Sequence, residues 1–115
     1  MDNYERRINV TRVIDADTIV VDVDLGMHQW FHNVQLRLLR INAPEVHGPT
    51  AEAGRTATAY TYDWLTIHAR HGRTFGRTEL TDSFGRYLAE VTCEQGHNLS
   101  DDLLASGNAV LYKAK

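Results

Sequence analysis

Residues 18–25, Thr-Ile-Val-Val-Asp-Val-Asp-Leu, alternate so regularly that they point to one kind of local structure. Ile19, Val21, Val23 and Leu25 fall on one face, and Asp22 and Asp24 are among the residues on the other. A period of two marks a half-buried strand. Directly before it, Asp15-Ala16-Asp17 has the carboxylates that favour a tight turn, and residues 7–14, with Ile8 and Val10 on one face, supply the other arm of a hairpin. A longer loop is expected over residues 26–33 and a third strand over 34–41. Asn42-Ala43-Pro44 ends that strand, because proline has no N–H to give a ladder and restricts the residue before it.

The pattern then changes period. Ala53, Ala57, Tyr60, Trp64 and Ile67 recur at steps of four and three, which predicts a helix. Thr50 is placed as its N-cap, Glu52 suits the positive end of its dipole, Arg70 and His71 suit the negative end, and Gly72 stops it. Two further strands fit residues 73–80 and 87–93, joined by 81–86. A short helix follows, capped by Asn98, with Asp101 and Asp102 in its first turn, Leu99 and Leu103 inward and Gly107 at its end. The tail, 108–115, is given no element. The order β-β-β-α-β-β-α fits an α+β, mainly β domain: a partly open five-stranded barrel of the oligonucleotide-binding (OB-fold) kind with two to three helices packed outside. Other small α+β topologies use the same elements.

At 115 residues the chain is one domain's worth, residues 1–115, and its 43% hydrophobic content supports a modest core. No apolar run approaches the ~20 residues of a membrane span, and the first residues lack the apolar stretch of a secretory signal. The expected setting is therefore cytoplasmic or that of a processed secreted form, with no membrane partner. Homo-oligomerisation is left open. A formal net charge of −3 argues against a protein that binds nucleic acid mainly by neutralising many phosphates, yet is compatible with one that grips a single phosphate beside a cation. The lone Cys93, in a strand-like context, reads as a small buried apolar residue.

Three segments carry polar residues that a plain fold does not require. In Asp15-Ala16-Asp17-Thr18 the carboxylates are either turn formers or ligands for a hard cation, which takes oxygen donors. In Leu36-Arg37-Leu38-Leu39-Arg40-Ile41-Asn42-Ala43-Pro44-Glu45, Arg37 sits among apolar residues and must either snorkel to the barrel rim or meet a carboxylate or ligand. Glu45 projects where the chain leaves the sheet. In Asp82-Ser83-Phe84-Gly85-Arg86-Tyr87-Leu88-Ala89 a turn precedes Arg86, which opens a strand.

Taken together, Asp-x-Asp-Thr, then Arg-Leu-x-x-Ile-x-x-Pro-Glu, then Asp-x-Phe-Gly-Arg-x-Leu-Ala resemble the staphylococcal nuclease family, the thermonucleases, over residues 10–112. Leu103, Leu104, Gly107 and Ala109 are similar to that family's last helix and exit. The resemblance implies the same barrel, calcium as cofactor, and phosphodiester hydrolysis of DNA and/or RNA that leaves 3′-phosphates. It implies Asp17 as the principal metal ligand, with Asn42 and the backbone carbonyl of Ala43 at the next metal positions, and Asp15 as an acid behind them. Arg37 and Arg86 match the catalytic arginines and Glu45 the glutamate beside the attacking water. Tyr87, Tyr112 and His47 are candidates for contact with substrate.

The chain also departs from the family. Asn42 stands where the family usually has aspartate, which implies weaker calcium binding. Ala16 stands where the family tends to have glycine, at a cost of about 1 kcal/mol if the turn needs a left-handed residue. The loop 26–33, with Met27, Trp30 and Phe31, is longer than the family's and is expected to pack locally. His28 with His32, and His68 with His71, are read as structural or solvated, since neither pair has a third ligand. The competing function is a barrel that has lost catalysis and binds single-stranded nucleic acid or a protein ligand. A structural subunit of a larger assembly is a further alternative.

Overall fold

A computed structural model describes residues 5–81 and 85–112; Asp82, Ser83 and Phe84 of the proposed turn lie outside them. Strands β1 (Glu5–Asp15), β2 (Thr18–Gly26), β3 (Gln29–Leu38), β5 (Thr74–Thr81) and β6 (Tyr87–Cys93) close a barrel in the order β1-β2-β3-β6-β5. A two-residue strand β4 (Ile41–Asn42) pairs with β7 (Val110–Leu111), and helices α1 (Ala51–Arg70) and α2 (Leu99–Ala105) pack outside. This is the mixed α+β barrel with two helices that the element order predicts, and it is closed rather than partly open. Closure comes from β3 and β6, which pair in parallel with Arg37 opposite Leu88.

The alternating strands fill the barrel. Ile8, Ile19, Val21, Leu36, Leu38 and Val91 are all buried. Two irregularities between β1 and β2, at Val10/Arg12 and Val13/Asp15, add residues to β1 and so bend it around the core. Around the outside, Leu99 and Leu103 of α2 are buried with Trp64 of α1, and the Trp64 indole donates to Asp102 Oδ2 at 2.7 Å. His68 packs against Trp64, with ring centroids 4.2 Å apart and the planes tilted by 52°. Cys93 is buried, as its strand context implies.

Several local expectations are corrected. Residues 26–33 are not an irregular loop: β2 and β3 continue as one long hairpin closed by Met27 and His28, both at positive φ (54° and 61°), with Met27 92% exposed. Two left-handed residues are what a two-residue turn needs to match strand twist. Residues 34–41 are not one strand either. The chain breaks at Leu39–Arg40, where Arg40 adopts φ 72°, and this re-aims Ile41 into the core. The buried row of α1 is Gly54, Ala57, Thr61, Trp64 and Leu65, so Ala53 and Ile67 face outward. Thr50 occupies the N-cap position without capping; its hydroxyl donates to Glu45 O at 2.9 Å. Ala16 is not among the positive-φ residues. Its methyl is fully buried and its carbonyl accepts from Thr61 Oγ1 at 2.8 Å, so the left-handed penalty does not arise.

Candidate active site

Four separate stretches of chain meet at one end of the barrel. The β1–β2 turn brings Asp15, Asp17 and Thr18; β3 brings Arg37; the exit from β4 brings Asn42, Ala43 and Glu45; and the approach to β6 brings Arg86. All of them line one cleft of about 270 Å³. Asp15 Oδ1 accepts from the backbone N–H of Asp17 at 3.3 Å, as a turn former does, and Asp15 and Asp17 both line the cleft.

Asp17 is the hub. It is 8% exposed. Its Oδ2 accepts the backbone N–H of Ala43 at 3.0 Å and lies 3.3 Å from Arg37 Nη1, and its Oδ1 accepts the Thr18 hydroxyl at 3.3 Å. Its own carbonyl accepts from Leu38 N at 2.8 Å, which ties the turn to β3. Arg37 does not snorkel away. Nη1 donates to Leu38 O at 3.0 Å and Nη2 to Asn42 Oδ1 at 2.9 Å, so the guanidinium spans Asp17 and Asn42. Ala43 meets Asp17 through its amide N–H; no carbonyl contact is involved in that bond.

Asp15 is pushed up to about 6, first by burial and then by its hydrogen bond to Asp17 and that group's negative charge; the Asp17 N–H and the Thr18 hydroxyl act in the opposite sense. A carboxyl whose ionisation is opposed by burial and by a neighbouring negative charge is a favourable setting for a cation. The donor chemistry fits a hard one: the described residues lining the cleft bring the carboxylates of Asp15, Asp17 and Glu45, the Thr18 hydroxyl, the amide oxygen of Asn42 and the Ala43 carbonyl, and none of them brings sulfur or imidazole. Among the described residues no three His, Cys, Asp or Glu side chains come together as a metal cage. Any ion held here relies on neutral oxygens as well.

Glu45 is exposed, and its carboxylate makes no hydrogen bond or ion pair among the described residues. Its backbone, by contrast, is pinned. A β-carbon added at Gly54 of α1 would lie 2.3 Å from Glu45 O and 2.8 Å from Val46 N, so only glycine lets the helix come this close. Gly54→Ala is expected to force the two backbones apart at a cost of about 1–3 kcal/mol. Thermal unfolding reads this directly, and a Tm within about 1 °C of the parent would show that the contact is not tight.

The remaining candidates separate. His47, Tyr87 and Tyr112 do not line the cleft. Tyr112 donates its N–H to Arg40 O, beside the β4–β7 pair. Two residues gained importance that sequence patterns did not give them. Thr18 links the halves of the site, since Arg86 Nη1 lies 3.5 Å from its hydroxyl, at the outer limit of a hydrogen bond; its place in Asp-x-Asp-Thr was the available signal. Gly54 had none beyond being a glycine inside a helical pattern.

A family description, Staphylococcal nuclease homologue, matches residues 35–115, more than half of the chain. No curated protein matches the chain as a relative.

Proposed function

The chain belongs to the staphylococcal nuclease homologue family, and from that membership and the geometry of the cleft we propose that it is a divalent-cation-dependent nuclease, using calcium, that hydrolyses phosphodiester bonds of DNA, RNA or both. The observation that carries this is the convergence of Asp17, Arg37, Glu45 and Arg86, from four stretches of chain, on one cleft. A plain barrel has no need to gather two guanidinium groups and a free carboxylate around a buried aspartate.

In this proposal Asp17, Asn42 and the Ala43 carbonyl hold the ion, with Asp15 behind them. When bound, the ion supplies charge that polarises a phosphoryl oxygen and lowers the cost of deprotonating water. Arg37 and Arg86 bind the phosphate oxygens and stabilise the charge that builds on them in the five-coordinate transition state. Arg37 donates to Leu38 O and Asn42 Oδ1 and lies 3.3 Å from Asp17 Oδ2, which holds its plane and leaves further N–H groups for substrate. Glu45 orients the attacking water and takes its proton. The water oxygen bonds to phosphorus, the P–O5′ bond breaks, and the 5′-oxygen leaves as a hydroxyl after taking a proton from solvent. The other strand end keeps a 3′-phosphate.

Asn42 favours the second reading, a binding barrel with weakened catalysis, because an amide gives the ion no charge. Plasmid nicking with calcium and then with chelator separates the two. Metal-dependent nicking supports the nuclease, and nucleic-acid binding without it supports the binding barrel. Within the nuclease reading, Asn42→Asp restores a carboxylate and is expected to lower the half-saturating calcium concentration by about tenfold. A titration in which that concentration stays the same or rises contradicts the assignment of Asn42 as a ligand.

A further inference from the structure

We propose that the outer face formed by β1 and α1 is a binding track for the single-stranded nucleic acid that flanks the bond to be cut. Two concavities follow one another along this face. The larger, about 540 Å³, lies between β1 and α1 and is lined by Arg12, Tyr62 and Arg70 among others. The second, about 390 Å³, shares Val13 and Tyr62 with it and extends to Arg55 and Val46. Val46 is the neighbour of Glu45, so the two hollows lead to the edge of the cleft. The direction of the track, though not its existence, rests on reading that cleft as the cutting site.

Charge and shape both select the occupant. Arg12, Arg55 and Arg70 are exposed, and none makes an ion pair or a side-chain hydrogen bond among the described residues. On a chain whose net charge is −3, three such cations along one face require a reason. Arg55, Tyr62, Thr66 and Arg70 are spaced seven, four and four residues apart, which puts them on one stripe of α1. Arg55 to Arg70 spans about 22 Å at 1.5 Å per residue, the length of about six stacked nucleotides. Tyr62 stands at the junction of the hollows with 60% of its surface exposed. It offers a base a stacking face between phosphate-binding arginines, the combination used to hold single strands without reading sequence. Among the described residues Asp63 is the one acidic side chain lining either hollow, and it repels a phosphate there.

The test is binding of a fluorescein-labelled single-stranded oligonucleotide of about 12 nucleotides, read by anisotropy in chelator over a series of salt concentrations. The triple variant Arg12→Gln, Arg55→Gln, Arg70→Gln is expected to bind at least tenfold more weakly, with the slope of log K against log salt smaller by about 2. Tyr62→Ala is expected to weaken binding by about tenfold without changing that slope, and Asp63→Asn to strengthen it. Thermal unfolding establishes that each variant is folded, and the substituted side chains are exposed. Cleavage of a dinucleotide in calcium is expected to be the same in the triple variant and the parent. Parental affinity and slope in the triple variant overturn the track, as does displacement of the oligonucleotide by poly-glutamate as readily as by unlabelled oligonucleotide. Because binding is read without metal, a chain that never cuts still reports on the track; a chain that cuts long strands equally well after the triple substitution loses the track alone.

Discussion

Arg86→Ala is expected to lower kcat by about 10²–10³-fold at saturating calcium while leaving the fold intact. The residue sits just before β6, half-buried, with one guanidinium nitrogen 3.5 Å from the Thr18 hydroxyl that donates to Asp17. That places a positive fork beside the proposed cation site, where it would face the charge that develops on a bound phosphate. Losing one donor aimed at such charge costs about 2.7–4 kcal/mol of transition-state stabilisation. A melting temperature taken on the same protein separates lost rate from lost fold. Arg86→Lys keeps the charge but not the planar pair of donors, so it is expected to recover only a small part of the rate. Initial rates on a labelled oligonucleotide, with Tm measured in parallel, read both halves. A fall of less than about tenfold in the alanine variant would remove Arg86 from the phosphate-binding set.

The second large effect is on stability and lies away from the cleft. Arg40 makes a bidentate pair with Glu90, at 2.6 and 2.9 Å, and a further bond to Asp101 at 2.8 Å; Asn98 Nδ2 donates to the same Glu90 at 3.0 Å. Glu90 is only 7% exposed, so Arg40→Ala leaves a buried carboxylate with one amide for company. Breaking a buried pair costs about 3–5 kcal/mol. Because 41% of the Arg40 side chain is exposed, water screens part of it, and about 2–4 kcal/mol is expected. For a domain of this size that is a fall in Tm of roughly 10 °C. The double variant Arg40→Met, Glu90→Leu removes both charges and should regain most of the loss. A single variant that melts within about 2 °C of the parent contradicts the account. The network also serves the cleft: the turn at Leu39–Arg40 delivers Asn42 to the site, and it is fastened by Ser100 Oγ donating to Leu39 O and Tyr112 N donating to Arg40 O.

What could be read from the sequence was whatever is written in local periodicity. The alternation of residues 18–25, the Asp15–Asp17 turn and the Asn98 cap, which accepts from Asp101 N at 3.1 Å, all follow from neighbours a few positions away. The break at Arg40 could not be read in the same way, because its left-handed backbone is held by Glu90 and Asp101, 50 and 61 positions later. The Met27–His28 turn escaped for a different reason. Tight turns of this kind normally announce themselves by Asn-Gly, and Met27-His28 carries neither of those residues. In α1 the steps of three and four mark the helix, but its inner row runs through Gly54 and Thr61 and leaves Ala53 and Ile67 outside, because a glycine and a threonine carry no apolar signal. For the cleft, it was the resemblance of the three motifs to the nuclease family that pointed to Asp17, Arg37, Glu45 and Arg86, and these residues line one cleft. The aromatic candidates Tyr87 and Tyr112 are exposed, and neither lines the cleft.

The most direct measurement is cleavage of one defined single-stranded oligonucleotide by the purified chain, in calcium and in chelator, with the products weighed by mass spectrometry and the Arg86→Ala protein prepared alongside. The account predicts fragments ending in 3′-phosphate that form only with calcium and all but vanish in the variant. An intact oligonucleotide at every calcium concentration, or the same fragments in chelator or from the variant, would contradict it.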